Sequence, residues 1–278
     1  MIGFPGGRPN TEGPVLMTAG LVMGLRGGRL LPAVLSTTAG AVDVIGFLAL
    51  GGLFTAHITG NVVVVAAHYV TGGFSEAGPL LAVPVFVAVL GVVALASGEA
   101  EKAGYRSRRA LLVLQAALLA GCLGLGVGFG PFADAERPMA VLVGMLAVAA
   151  MATQNALVKL ALRGAPSTAV MTTNTTQLTV DLATLAWARG KPDDIARARR
   201  RAALTFPCIA GFVAGCAAGA ALEVRCGLWA LALPVVLAAV AVPLGELRDD
   251  GPAEAARLLG GVPAGPPAHG DLHPRVLN

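Results

Sequence analysis

The sequence predicts an all-α multi-pass membrane protein: six transmembrane helices plus two re-entrant half-helices, set out as two inverted repeats. Three observations predict it. Hydrophobic residues make up 55% of the chain and charged residues 13%, against about 25% charged in soluble domains. Six apolar runs, at 31–54, 79–98, 110–130, 138–158, 201–222 and 227–245, approach or exceed the roughly 20 residues that cross a bilayer. The basic residues fall between these runs in a pattern that favours one threading of the membrane over another. A β-barrel would need repeated ten-residue alternating segments, and the sequence has none.

Taken in order, residues 1–30 carry Gly, Pro and three Arg around a weak apolar stretch. They are expected to be a flexible extension without a cleaved signal peptide. The first membrane repeat is 31–130 and the second 131–248. Each holds three long apolar runs and one shorter, more polar stretch, 61–72 in the first and 174–188 in the second. Residues 249–278, rich in Pro, Gly and Ala, are expected to be a disordered tail.

The short stretches decide the topology. Four basic residues lie in 99–109, a pair at Lys159 and Arg163, and six in 189–201. If all eight stretches cross, thirteen of the 20 basic residues face the cytoplasm and seven do not. If 61–72 and 174–188 enter and leave on the same side, the division is eighteen to two. Lys and Arg in short loops favour the cytoplasm, so the second threading is expected, with eight full spans as the alternative. Both termini are then cytoplasmic. Each half makes three crossings and the second starts from the opposite side, as in inverted-repeat transporters.

A shift of 113 residues places Thr59-Gly60-Asn61 on Thr172-Thr173-Asn174, and His68 on Asp181. Residues 61–72 as a helix span about 18 Å, roughly half a hydrocarbon core. Thr59 and Asn61 suit a helix N-cap. A half-helix starting there directs its free N–H groups and positive dipole end toward the membrane centre. Discontinuous transporter helices hold anionic groups in this way. Thr172 and Asn174 repeat the arrangement.

Other polar residues lie in the apolar runs. Asp43 in the first costs about 2.5–3.5 kcal/mol to insert, so it points to solute or proton handling or to a packed hydrogen bond. Gln154 and Asn155 suit either interhelical bonding or site lining. His68 and Asp181 each lie seven residues beyond an Asn, on its helix face, and are candidates for an ion pair or proton relay. Gln115 is expected near a membrane end, without a role. Gly211, Gly215 and Gly219 form a flat stripe for helix contact, inside the bundle or between copies in a homo-oligomer.

Several classes are disfavoured. The net charge of +4 follows from topology, so nucleic acid is not an expected partner; membrane lipid and a small solute are. Cys122, Cys208, Cys216 and Cys226 lack CxxC spacing and read as small apolar fillers. His269 and His273 make no metal pattern. No H-E-x-x-H, G-x-S-x-G or Walker motif occurs, so no catalytic residue, metal or cofactor is expected.

The stretches AGAVDVIGFLALGGLFTAHITGN, GMLAVAAMATQNALVKL and APSTAVMTTNTTQLTVDLA resemble the YoaK family of bacterial membrane proteins (domain of unknown function 1275) over about residues 31–245. That family carries T-G-T at the second break; this chain has Thr172-Thr173-Asn174 and so lacks the glycine. The resemblance implies an integral protein of the bacterial inner membrane and no established activity.

The function expected from the residues is a transporter or channel for a small, anionic solute, with a midplane site at the paired half-helix N-termini formed by Asp43, Thr59, Gly60, Asn61, Gln154, Asn155, Thr172 and Asn174. Two alternatives are a non-transporting scaffold or sensor, and a membrane enzyme acting on a lipid.

Overall fold

The computed structural model describes residues 12–71, 77–102, 107–162, 164–187 and 192–258. Eight α-helices account for nearly all of them: α1 Glu12–Ala49, α2 Ile58–Thr71, α3 Ala77–Lys102, α4 Ser107–Phe129, α5 Pro138–Ala161, α6 Met171–Trp187, α7 Pro192–Cys226 and α8 Ala232–Leu258. A short 3-10 turn, Gly227–Leu231, joins the last two. Among the described residues there is no strand. The outer parts of the two expected tails, 1–11 and 259–278, lie outside the described residues, His269 and His273 with them; helix extends into both inner parts.

Five stretches are long and apolar enough to cross a membrane: Arg29–Ala49, Ala77–Glu99, Ser107–Phe129, Pro138–Ala161 and Pro192–Glu246. The last has 55 residues, far beyond the roughly 20 that one crossing needs. It is interrupted at Gly227, whose φ of 56° suits glycine and turns the chain from α7 into α8. Proline sits inside α1, α3 and α7, at Pro32, Pro84 and Pro207. Bundles tolerate such interruptions because neighbouring groups satisfy the freed carbonyls.

The spanning stretches of α1 and α5 are the most buried, and those of α3, α4 and α7–α8 the most exposed. Exposed Val87, Val92, Leu95, Val213, Val224 and Val240 give the bundle an apolar exterior, which suits lipid as solvent. The main core joins Val42 and Ile45 of α1 to Leu119 of α4, Met151 of α5 and Leu231. A second cluster at the other end of α1 gathers Leu31, Leu35, Leu112 and Leu157.

Helix contacts follow a regular scheme. α1 packs on α7 and α8; α5 packs on α3 and α4. α2 packs on α3, and α6 on α7. α4 also packs on α8. Renumbering each helix by four steps, α1 to α5, α2 to α6, α3 to α7 and α4 to α8, reproduces the same set of neighbours.

The tightest contact lies between α1 and α7. A Cβ added at Gly215 would stand 2.1 Å from the carbonyl oxygen of Thr37, and one at Gly211 would stand 2.7 Å from that of Ala33. Gly219 faces Ala41 and Val44, and Gly40 of α1 meets the Phe212 carbonyl oxygen at 2.3 Å by the same measure. The glycine stripe is therefore consumed inside the bundle, where small residues let backbones approach. Of the two uses expected for these three glycines, the one inside the bundle is seen.

Candidate functional site

α1 ends in a Schellman motif. Gly51 adopts φ 68°, and the Gly52 N–H donates to the Phe47 carbonyl at 3.0 Å, the six-to-one bond of that cap. The chain then runs irregularly through Leu53–His57 before α2 begins. Irregular buried backbone must find partners within the protein, and the Asp43 carboxylate supplies them. Its Oδ1 accepts the N–H groups of Thr55 at 2.7 Å and Ala56 at 2.8 Å, and the Thr55 hydroxyl at 3.3 Å. Its Oδ2 lies 2.7 Å from His57 Nδ1.

Asp43 is buried, while the His57 side chain remains 37% exposed. Three donors converge on Oδ1; with the carboxylate ionised, when it only accepts, the proton between the pair sits on His57 Nδ1. That leaves Nε2 as an acceptor in the neutral ring and a donor in the charged one. The ring stands between Phe54 (centroids 6.4 Å apart) and Phe212 of α7 (5.3 Å), both edge-on.

Asn61 closes the turn from the other side. Its Oδ1 accepts the Phe54 N–H at 2.9 Å and its Nδ2 donates to the Phe54 carbonyl at 2.7 Å. The helix thus starts three residues earlier than the N-cap reading of Asn61 expected. Asn61 sits in the first turn and reaches back, instead of capping from in front. Thr59 is exposed. Gly60 has a steric reason: a Cβ there would come within 2.8 Å of the Phe54 ring.

The second loop repeats this arrangement with different chemistry. Gly164 has φ 82°, matching Gly51 113 residues earlier. Asn174 donates to the Ser167 carbonyl at 2.6 Å, as Asn61 does to Phe54. Thr168, like Thr55, is buried and bonded to a polar side chain from the preceding helix, here Gln154. Gln154 Nε2 donates to Thr168 Oγ1 at 2.9 Å and to the Leu35 carbonyl of α1 at 3.0 Å. Its Oε1 accepts from Gln115 of α4 at 2.6 Å.

Gln115 is thus fully buried and links α4 to this junction, which corrects the expectation that it lies near an end without a role. The Ser167 hydroxyl oxygen accepts from Val170 N–H at 2.9 Å, a local cap for the start of α6. Ser167 stands where the first loop has Phe54. No ring presses on the turn, so Thr173, exposed, takes the place of the glycine that the T-G-N copy requires.

The remaining predicted residues are placed as follows. Thr172 is exposed, like Thr59. Asn155, half-buried, donates to the Met151 carbonyl of its own helix at 2.8 Å. Asp181 is fully buried and held by Arg201 of α7 at 2.6 Å, with Gln177 at 3.1 Å. Its charge is answered within the α6–α7 pair, in place of the expected pairing with His68. His68 lies half-buried on α2, which packs on α3. Asp43 and Asn61 are brought to the first loop, and Gln154 and Asn174 to the second.

His57 was not among the expected site residues. The sequence held one signal for it, an ionisable residue two positions before T-G-N in an apolar run. Its partner stands fourteen residues upstream on another helix, and no local spacing rule links such a pair.

Among the described residues no group of three or more His, Cys, Asp or Glu side chains is placed to hold a metal ion. No curated protein and no solved structure matches the chain. The family model described as protein of unknown function (DUF1275) matches residues 31–244. With its apolar bundle and its two polar loops in register, the chain belongs to the DUF1275 family.

Proposed function

We propose that this protein is a non-enzymatic transporter of a small solute in the bacterial inner membrane, coupled to protons through Asp43 and His57. The proposed topology is six crossings, with α2 and α6 re-entrant, in two inverted halves with both termini cytoplasmic. The four-step repetition of helix contacts and the matched loops at 51–61 and 164–174 support it, and so does the eighteen-to-two division of basic residues. In this reading the first loop handles the proton and the second meets the solute, and groups of helices rock about them.

One observation carries the coupling. A buried carboxylate in α1 binds the ring of a partly exposed histidine at 2.7 Å, and intramembrane ionisable pairs of this kind serve proton relays. Asp43 also takes up the N–H groups of Thr55 and Ala56 just ahead of α2, and so sets a carboxylate beside the helix start that the sequence reading assigned to an anionic solute. The first loop accordingly serves the proton, and a solute anion belongs elsewhere.

The test is Asp43→Asn. The amide oxygen can still accept from Thr55 and Ala56 while its NH2 group donates to the other His57 tautomer, so the fold persists and the proton chemistry is lost. Proteoliposomes with an internal pH dye, challenged with a panel of small solutes, are expected to show solute-dependent proton movement for the natural protein and none for the variant. Single cysteines at Ser75 and Ser107, in a background lacking the four native ones, are expected to label from outside at 75 only.

A second reading has its own support. Asp43 is saturated by four donors, as a purely structural latch would be. In a scaffold or sensor no solute in the panel moves protons, and Asp43→Asn leaves stability nearly unchanged.

A further inference from the structure

The two loops differ most where Phe54 gives way to Ser167. In the first, Phe54 packs against Phe47 with ring centroids 5.0 Å apart and lies over Gly60. In the second, the small side chain leaves a cavity of about 160 Å³, lined by Asn155, Val158, Lys159, Gly164, Ala165 and Ser167. Lys159 is the one charged residue of that lining. It is exposed, and among the described residues no ion pair engages it. Asn155 spends one N–H on Met151 and keeps its carbonyl oxygen for a ligand. The Ser167 oxygen accepts from the backbone and keeps its O–H to donate. Gly164 presents bare backbone, and Val158 offers one apolar wall.

We propose that this cavity binds a small oxyanion, a carboxylate of two to four carbons, with its anionic group on Lys159 and the Ser167 hydroxyl and its carbon end on Val158. The proposal rests on the transporter reading only in treating this anion as the solute; the binding site itself stands on the cavity. A cation, a hydroxyl donor and an amide acceptor around one space suit an anion that carries a second polar group, such as a hydroxy acid. The volume of about 160 Å³ favours a small anion over a nucleotide or a sugar phosphate. The position also fits the division of labour between the loops. The first has an internal carboxylate and Phe54 seated over Gly60, whereas the second has the cavity and a cation but only a neutral amide, Gln154, as its anchor.

Purified full-length protein in nanodiscs, at constant ionic strength with chloride as the reference anion, is titrated with acetate, lactate, succinate and inorganic phosphate while thermal stability is followed. Saturable stabilisation by lactate or another of the carboxylates is expected. It weakens at least tenfold in Lys159→Gln, is retained in Lys159→Arg, and is lost in Ser167→Phe, which restores the first loop's plug. Should Ser167→Phe fail to fold, Asn155→Leu gives the same readout, with an expected loss of preference for lactate over acetate. Absence of saturable stabilisation by every carboxylate, or stabilisation unchanged in Lys159→Gln, overturns the site. Stabilisation by phosphate alone overturns the carboxylate assignment. Carboxylate binding without any proton or solute flux would keep the site and refute the transporter, whereas solute flux that Lys159→Gln leaves intact would do the reverse.

Discussion

The loops at 51–61 and 164–174 share a plan and differ in what fastens it. Each follows a glycine with positive φ, buries a threonine, and is closed by an asparagine that reaches back seven residues. In the first, a carboxylate gathers two backbone N–H groups, a hydroxyl and an imidazole. In the second, a neutral amide ties the threonine to two other helices, and a serine caps its own turn. The same backbone path can therefore be held by charge or by dipoles. The charged version carries a titratable pair, and the neutral version lines a cavity.

Breaking the fasteners one by one ranks the two designs. Asp43→Ala is expected to cost most, about 4 kcal/mol, because two buried N–H groups lose their only acceptor. Chemical unfolding in mixed micelles measures it. Gln154→Leu comes next at about 3 kcal/mol, through the stranded Thr168 hydroxyl and Gln115 amide. An Asp43 variant that proved milder than Gln154→Leu would reverse the ranking of charge over dipole.

Exchanging the glycines sharpens the comparison further. Gly60→Thr is expected to destabilise by about 2 kcal/mol, since its Cβ must displace the Phe54 ring. Thr173→Gly is expected to stay within about 1 kcal/mol, the usual cost of glycine in a helix. The asparagines give the smallest contrast. Asn61→Ala loses two hydrogen bonds to Phe54 and Asn174→Ala loses one to Ser167; at about 1 kcal/mol per bond the first should cost twice the second, read as a difference in thermal midpoint.

Much of this was legible in the sequence because membrane depth makes polar residues conspicuous. Asp43, Asn61, Gln154 and Asn174 stand out from apolar neighbours, and all four are buried at the loops. The 113-residue shift was legible too, since Thr and Asn recur at fixed distance. What was not legible depends on contacts between helices. Gln115 looked peripheral because its burial comes from Gln154 on α5. The α2 start was misplaced by three residues because Asn61 bonds backward, a choice that sequence preference for capping does not distinguish. The absent glycine at Thr173 made sense only once Ser167 was seen in place of Phe54, six residues upstream. The glycine stripe fitted an internal or an external partner equally, and only the path of α1 decides between them.

The α1–α7 seam has a mechanical consequence. With carbonyl oxygens of α1 seated where Cβ atoms of α7 would stand, neither helix can slide along or roll against the other without a steric clash. The two form a single stiff plank. Asp43 is mounted on one board, and Phe212, which faces the His57 ring, on the other. Any flexing of the bundle is expected to bend around that plank, so that the acid and its aromatic wall keep a constant spacing.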